Sequence, residues 1–420
     1  MSLSPAAEQA FRAACALVAE GRPEAAFPRH REAAEAGHGA AACELGRMYL
    51  HGVGAPASRP DALAWFARAE AAGVPAAAEQ LAMIALGDDG AGAAALPCDA
   101  QVDARLRAAA EAGWPPAMLA AALVFGRSAH PADQERCLRL LQAGAGRGDA
   151  LAAQLLAARL AQGEGCPPQP EAARGLWAQL AAHGVPALPA FTVDLSAQGG
   201  LERTPAGHFA PAAAPHLPPS QMRCAQPRVR TIDGLLSADE CRLLIAAARP
   251  HLHASRVTDP HSGRADSQPV RTSHDANFDP VIETAALRLV QRRMAAAAGL
   301  PLAHAEQLTV LRYTPGQQYR PHRDYLPPGA IARDPGASGD AGNRLRTVCV
   351  YLSAVAAGGG TAFPAAGLTV DPQPGRALVF DNLREDGSPE PDSLHAGLPV
   401  EAGEKWLATL WIRERRYRAW

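Results

Sequence analysis

The first half of the chain carries a hydrophobic pattern of helical period. From about residue 5 to 195, alanine and leucine recur among strong helix formers, and glycines interrupt the helical stretches. Five marker glycines stand 36, 40, 35 and 36 residues apart, at Gly37, Gly73, Gly113, Gly148 and Gly184. Each interval has room for two helices, the first of which ends at the glycine, because glycine adopts a left-handed C-terminal cap without strain. The pattern predicts an all-α solenoid of stacked helix pairs.

Two fragments of this region, residues 45–54 and residues 61–66, match a known repeat pattern. They resemble Sel-type repeats, which are short relatives of the tetratricopeptide family. The resemblance implies a concave surface that binds a peptide or protein, and we favour recruitment of a partner or substrate. The alternative is a structural arm that only packs on a second domain, and the sequence does not decide between the two.

The second half of the chain has a different pattern. Residues 196–225 are rich in proline and poor in periodic apolar positions, which predicts a linker. From residue 226 to 420, short apolar runs of strand character alternate with turns, at 229–232, 308–313, 347–352, 377–380 and 407–412. Helical patterns occur at 237–249 and 280–298. These patterns predict an α+β domain with an antiparallel sheet and helices on one side.

Two histidines and one aspartate are candidate metal ligands. His322 and Asp324 lie two residues apart, and side chains at i and i+2 of an extended strand share one face. His395, far along the chain, would supply a third ligand. Two imidazoles and one carboxylate on one face of an octahedral ion leave three positions open, which suits Fe(II) with a bidentate co-substrate and O2. A His-x-Asp pair alone is weak evidence, because its two side chains are often only surface groups.

A lysine downstream strengthens this interpretation. Lys405 follows His395 by ten residues, in a segment with the alternation of a strand. The alternation places five residues on one face, namely Lys405, Leu407, Thr409, Trp411 and Arg413. An ammonium group on this face can bind the distal carboxylate of a dicarboxylic keto acid whose other end chelates the metal. An isolated lysine is more often a surface charge, but apolar residues border this one.

Residues from about 226 to 413 resemble the prolyl 4-hydroxylase family of 2-oxoglutarate- and Fe(II)-dependent dioxygenases. The matching elements occur in the order of the family, at 271–273, 313–325, 344–352, 358–364, 374–380 and 395–413. The resemblance implies a double-stranded β-helix, or jelly-roll, with the iron at its mouth. It also implies the cofactor Fe(II), the co-substrates 2-oxoglutarate and O2, and L-ascorbate as the reductant that rescues oxidised iron.

The resemblance also implies roles for individual residues. His322, Asp324 and His395 would hold the iron, and Lys405 would bind the C5 carboxylate of 2-oxoglutarate, so that all four are catalytic residues. The remaining roles are hydrogen bonds to the co-substrate from Tyr313 and Thr361, and contacts to a peptide substrate from Tyr319, Arg344, Trp411 and Arg413.

Three departures from the family pattern concern the substrate more than the chemistry. The usual Gly-Gly-Glu-Thr is Gly-Gly-Gly-Thr at residues 358–361, which leaves no acid there. Arg413 stands where plant-type members often carry histidine. Residues 327–342 form an insertion rich in glycine, proline and aspartate, which we expect to make a loop beside the mouth, in a position to act as a lid.

Composition and charge limit the partners and the compartment. The formal net charge of −2 provides no general attraction to nucleic acid or to anionic membranes, so neither is an expected partner. The N-terminus lacks the pattern of a signal peptide, and the eight cysteines are scattered without metal-binding spacing. We therefore expect a cytoplasmic protein with reduced thiols.

Three functional hypotheses follow. The first is hydroxylation of prolyl residues in a protein or peptide, with release of succinate and CO2, on a substrate that the repeats recruit. The second is the same oxygenase chemistry on another residue or on a small molecule. The third is a binding scaffold of repeats with an inactive oxygenase domain, against which the intact triad and Lys405 argue.

Overall fold

Helices occupy the N-terminal half of the chain. The computed structural model describes residues 4–88, 90, 95–189, 201–255, 257–258, 265–266, 271–333 and 340–418. Within these residues the first ten helices are α1 Pro5–Ala19, α2 Pro23–Glu35, α3 Gly39–His51, α4 Arg59–Ala71, α5 Pro75–Gly87, α6 Ala100–Glu111, α7 Pro115–Gly126, α8 Pro131–Ala145, α9 Ala150–Gln162 and α10 Pro170–Ala182. Consecutive helices pack against each other along the whole series. The predicted helical solenoid is confirmed.

The marker glycines divide the helices as expected. Gly37, Gly73, Gly113, Gly148 and Gly184 all have φ between 75° and 88°, and each lies just after a helix. This left-handed conformation strains any residue with a Cβ, whereas glycine adopts it freely. The sharp turn at each glycine lets the next helix fold back on the one before it.

The C-terminal half contains two antiparallel sheets. Its strands are β1 Ser220–Cys224, β2 Val229–Ile232, β3 His253–Ala254, β4 Val257–Thr258, β5 Ala265–Asp266, β6 His274–Asn277, β7 Thr309–Tyr313, β8 Tyr319–His322, β9 Arg344–Tyr351, β10 Ala357–Gly358, β11 Thr361–Phe363, β12 Leu368–Val370, β13 Ala377–Asp381, β14 His395–Gly397, β15 Val400–Ala402 and β16 Lys405–Arg413. The larger sheet has the order β1-β2-β13-β9-β16-β7-β6-β3, and the smaller one β12-β11-β14-β8. Two further pairs, β10-β15 and β4-β5, complete the strands described. Apolar side chains of both sheets share one core, so the predicted jelly-roll is confirmed.

Two long helices form a layer between the solenoid and the larger sheet. Helix α11 (Ala238–Ala248) packs on α7 and α9 and on β6 and β7, while α12 (Ala285–Ala298) packs on α5 and α7 and on β9 and β16. Helix α11 begins with the capping box formed by Ser237 and Glu240. Both helices bury apolar residues in a core that is continuous from the repeats to the sheet. The solenoid is therefore packed tightly on the sheet domain.

Buried ion pairs connect the repeats to helix α11. Arg159 of α9 contacts Asp239 at 2.6 Å, and Arg127, which follows α7, contacts Glu240 at 2.5 Å. All four side chains are at most 4 % exposed. Burial alone would lower the pKa of Arg159, but the adjacent Asp239 carboxylate raises it above its usual value. Because a charge left alone at this depth is costly, the pairs fix the orientation of the repeats on the sheet domain.

The predicted linker contains ordered structure. Strand β1 lies within this segment and pairs with β2. Residues 196–200 of the predicted linker lie outside the described part of the chain. The Glu202 carboxylate accepts a hydrogen bond from Arg127, and the Ala212 N–H donates to Asp103 of α6 at 2.8 Å. Residues 201–219 thus lie along the repeats, and the domain boundaries themselves stay a prediction.

No single described helix is both long and apolar enough to cross a bilayer. Helices α6 and α7 reach the length and apolar composition of a membrane span only together, and this pair is bent by 117°.

Candidate metal centre

The pairing of β8 with β14 brings the two candidate histidines together. His322 lies directly opposite His395 in this antiparallel pair. The sequence predicted His322 and Asp324 on one strand. Strand β8 ends at His322, however, so Asp324 lies just beyond the strand. Its carboxylate nevertheless lies 3.7 Å from Nε2 of His322 and 3.8 Å from Nε2 of His395. One ligand atom from each residue falls within 4.8 Å of the others, a geometry that can hold a single metal ion.

Backbone carbonyls orient both imidazoles. Nδ1 of His322 lies 2.8 Å from the carbonyl oxygen of Arg320, and Nδ1 of His395 lies 3.0 Å from that of Ser393. A carbonyl oxygen can only accept, so each Nδ1 carries the proton and each Nε2 presents its lone pair to the centre. This is the tautomer that a metal ligand needs, and it is set before any ion binds.

A hydrogen-bond chain supports the carboxylate. Thr347 of β9 donates to Oδ2 of Asp324 at 2.7 Å, and Asn382 donates to the Thr347 hydroxyl at 2.9 Å. Burial alone would raise the pKa of Asp324, but the two histidines, Arg344 and the Thr347 hydroxyl hold it below its usual value. The carboxylate therefore stays ionised. Thr347 and Asn382 were not predicted, because Thr347 lies 23 residues from Asp324 along the chain and only the pairing of β9 with β13 brings Asn382 to Thr347.

Aromatic rings contact both histidines of the triad. The ring of Tyr319 stacks on His322 with centroids 3.4 Å apart, and the rings of Phe363 and Phe380 lie against His395. Burial, and then the charge of His395, lower the pKa of His322 to about 3. His322 is therefore neutral at pH 7, with its Nε2 lone pair available to a metal.

Lys405 projects into the same cavity as the triad. Its side chain is 2 % exposed, and its Nζ lies 5.4 Å from the ring centroids of both Tyr313 and Tyr351. Burial lowers the pKa of Lys405 to about 8, and within the described residues the ammonium forms neither an ion pair nor a hydrogen bond. Buried cations are normally paired, so this orphaned group fits a carboxylate brought by a bound molecule.

The residues predicted to bind the co-substrate line this cavity. Tyr313 and Thr361 are both buried, and burial raises the pKa of Tyr313 above its usual value. The Thr361 hydroxyl accepts a hydrogen bond from the Tyr351 hydroxyl at 2.7 Å. Tyr351, which sequence reasoning missed, thereby fixes Thr361 and flanks Lys405. The spacing of Tyr351 in β9 gives no sign of this role, since its partners lie on β11 and β16.

The predicted peptide contacts divide into two groups. Tyr319 and Trp411 line the cavity, and the Arg344 guanidinium lies 4.1 Å above the Trp411 ring. Arg344 forms an ion pair with Glu306 at 2.7 Å. Glu306 was not predicted as part of the site. The indole N–H of Trp411 is buried and finds no acceptor among the residues described.

Arg413 is the exception, and its predicted contact with a peptide is not supported. It is fully buried, and it donates to the Glu306 carboxylate and to the Gly342 carbonyl, both at 2.6 Å. The cavity lining includes Lys405, Leu407, Thr409 and Trp411 of β16 but not Arg413.

Two further elements that the sequence singled out are Arg271 and the insertion at residues 327–342. Arg271 lines the cavity, lies 5.3 Å from the Tyr319 ring centroid and donates to Asp275 at 2.9 Å. It was noted in the sequence only as part of a matching element. The insertion at residues 327–342 contains a short helix, α13 Pro328–Arg333, while its residues 334–339 lie outside the described residues.

A facial set of two imidazoles and one carboxylate is the ligand arrangement of non-haem Fe(II) oxygenases, and this is the class that the fold and the site define. Comparison with known proteins agrees. Residues 308–413 match the family model of the 2OG-Fe(II) oxygenase superfamily. A probable prolyl 4-hydroxylase 3 of Arabidopsis thaliana is 35% identical over 216 residues, which cover 46% of this chain and 71% of that protein. The chain belongs to the prolyl 4-hydroxylase family of 2-oxoglutarate- and Fe(II)-dependent oxygenases.

Solved structures with likeness to each half are also known. The viral collagen prolyl hydroxylase of Paramecium Bursaria Chlorella virus-1 is 30% identical, with a TM-score of 0.34, over 44% of this chain and 95% of its own. A Sel1 repeat protein from Oxalobacter formigenes is 24% identical, with a TM-score of 0.36, over 42% of this chain and 73% of its own.

Proposed function

We propose that this protein hydroxylates prolyl residues of a protein or peptide, consuming 2-oxoglutarate and O2 and releasing succinate and CO2. The observation that carries the proposal is the convergence of the His322, Asp324 and His395 ligand atoms beside the unpaired ammonium of Lys405. Family membership supports the choice of proline, because the Arabidopsis relative reported above is named a probable prolyl 4-hydroxylase.

The residues of the cavity fit the two expected groups. His322, Asp324 and His395 would hold Fe(II), which together with 2-oxoglutarate supplies the oxidising power for an unactivated C–H bond. Lys405 would pair with the distal carboxylate of 2-oxoglutarate. Before binding, no described residue supplies a counter-charge to this cation, so the carboxylate compensates a burial cost that the fold already bears. The protein's part is to orient the reactants and to exclude water.

The mouth of the cavity suits an extended peptide. Tyr319 and Trp411 provide flat apolar surfaces, and aromatic faces pack well against a proline ring. The unsatisfied indole N–H of Trp411 can donate to a peptide carbonyl, which would remove a buried polar group without a partner. Arg344, held by Glu306, keeps the Trp411 ring in place by stacking on it. A small metabolite would leave this extended lining unused, which favours a peptide over the second hypothesis.

The proposal includes three further expectations. Ascorbate would sustain turnover by returning oxidised iron to Fe(II). The repeats would recruit the protein that carries the proline. The chain would work in the cytoplasm, which the eight free cysteines support.

The test measures succinate release by purified protein supplied with Fe(II), 2-oxoglutarate and proline-containing peptides, with and without ascorbate. We expect release that depends on the peptide and that is lost in His322→Ala. Matched peptides with alanine in place of proline serve as controls. Release that is equal with the alanine peptides would favour another substrate, and the absence of both iron binding and succinate would favour the scaffold hypothesis.

A further inference from the structure

A groove of the solenoid is occupied by a loop of the protein's own chain. The side chain of Phe209 is buried between helices α6, α7 and α8, with its ring centroid 5.6 Å from that of Phe125 and 5.3 Å from the Arg107 guanidinium carbon. Two residues earlier, the Gly207 N–H donates to the Asp133 carboxylate at 2.8 Å. We call this surface the Phe209 groove. It accepts an aromatic side chain and one backbone N–H of a loop that turns at residues 205–208.

The next repeat forms an equivalent groove. Helices α8 and α9 follow α6 and α7 at the repeat distance of 35 residues, and α10 follows α8 at 36. All seven repeat residues that line the Phe209 groove have their equivalents in the lining of a second groove, between α8, α9 and α10. Three apolar examples are Ala121 and Leu156, Phe125 and Leu160, and Leu140 and Leu176. The two grooves are therefore formed by equivalent positions of successive repeats.

The second groove differs from the first in having room and free polar groups. Its volume is about 850 Å³, and no described segment of the chain fills it. Gln169, the repeat equivalent of Asp133, lines it and is exposed. The Gln169 side chain does not cap helix α10, and in the described structure it forms no hydrogen bond. The position that binds the backbone N–H of Gly207 in one repeat is thus free in the next.

We propose that the groove between α8, α9 and α10 binds a segment of another polypeptide through an aromatic side chain. The occupied Phe209 groove indicates the chemistry of this ligand, which is an aromatic anchor flanked by alanine, glycine and proline. Leu156, Leu160 and Leu176 would contact the ring, and Gln169 would hydrogen-bond to the ligand backbone. Arg107 and Arg136 are replaced by Gln142 and Ala172, so the ligand needs no negative charge.

Docking and catalysis are separable. The link between the docked polypeptide and hydroxylation rests on the proposed function, because the docked protein would be the one that carries the target proline. The docking itself does not rest on it. Binding is therefore measured without iron and without 2-oxoglutarate, so that failure of the docking site and failure of the hydroxylase proposal are distinguishable.

The probe is a fluorescein-labelled copy of residues 203–212, Arg-Thr-Pro-Ala-Gly-His-Phe-Ala-Pro-Ala, with versions that carry Tyr, Trp or Ala at the Phe position. Fluorescence anisotropy of the full chain should show saturable binding of at least one aromatic peptide. The alanine peptide should bind with an affinity that is lower by about tenfold or more. Ala172→Trp, which fills the groove from an exposed position of α10, should weaken binding by about tenfold or more. Ala178→Trp, exposed on the same helix but outside the groove, is the matched control and should bind as the unaltered protein does.

Other outcomes overturn the proposal. One is the absence of saturable binding by all aromatic peptides, and another is binding that survives Ala172→Trp in a protein with unchanged circular dichroism. If Ala172→Trp does not fold, Gln169→Ala provides the second variant, for which we expect weaker binding with unchanged stability. If light scattering finds a dimer and the peptide binds only as the dimer dissociates, the occupant is a second copy of this chain and not a foreign polypeptide.

Discussion

Lys405→Met removes a charge and keeps a side chain of similar length, so its effects follow from the setting of the ammonium group. Burial lowers the pKa of Lys405 from 10.5 to about 8, and no described residue compensates its charge. A difference of this size corresponds to roughly 3 kcal/mol of free energy lost in burying the cation. Without bound ligands, Lys405→Met should therefore be more stable than the unaltered protein by roughly 3 kcal/mol at pH 7.

The pH dependence of this difference has a definite sign. Below pH 8 the lysine is charged in both the folded and the unfolded chain, so the full cost of burial applies. Between pH 8 and 10.5 the folded protein releases the proton while the unfolded chain keeps it, so the stability of the unaltered protein rises with pH. The advantage of Lys405→Met should shrink over this range and vanish above it. Urea unfolding of both proteins at several pH values measures the difference.

Binding of 2-oxoglutarate should change in the opposite direction. Removing one partner of a buried, charge-assisted pair costs about 2–5 kcal/mol, so the affinity should fall by roughly thirtyfold to several thousandfold. Calorimetric titration with Zn(II) in place of Fe(II) avoids turnover. Equal affinity in the two proteins, or a loss of stability in Lys405→Met without ligands, would refute the reasoning about this residue.

Three more outcomes test other parts of the structure. His322→Ala should abolish retention of iron, measured as metal content after gel filtration, without unfolding the chain. Arg159→Met should cost about 1–3 kcal/mol in urea unfolding, because Asp239 stays buried and loses one of its two guanidinium partners, while Arg242 remains as the other. Trp411→Phe removes the free indole N–H but keeps an aromatic ring, so KM for the peptide should rise by about fivefold while KM for 2-oxoglutarate stays constant.

Local patterns predicted most of the elements. The run at 229–232 is strand β2 residue for residue, and the helical pattern at 237–249 is helix α11 together with its two capping residues. The marker glycines located the helix pairs because a positive φ is a local requirement that glycine meets best. These features depend only on neighbouring residues, which is why the sequence alone is sufficient for them.

Features that depend on pairing between distant segments were not predicted. Thr347 supports Asp324 across 23 residues of chain, and Asn382 reaches Thr347 because β13 lies beside β9. Arg413 is buried against Glu306 and Gly342, which lie 107 and 71 residues away along the chain. The packing of Phe209 against the repeats was not predicted either, because the sequence indicated only a proline-rich linker at this position.

The central claim is that the cavity holding His322, Asp324, His395 and Lys405 hydroxylates proline. Mass spectrometry of a proline peptide after turnover under isotopically labelled O2 tests it most directly. The account predicts one labelled oxygen atom on the proline ring, one succinate formed for each hydroxyproline, and neither product with His322→Ala. Succinate that forms without any labelled proline, or label that appears on a different residue, would contradict it.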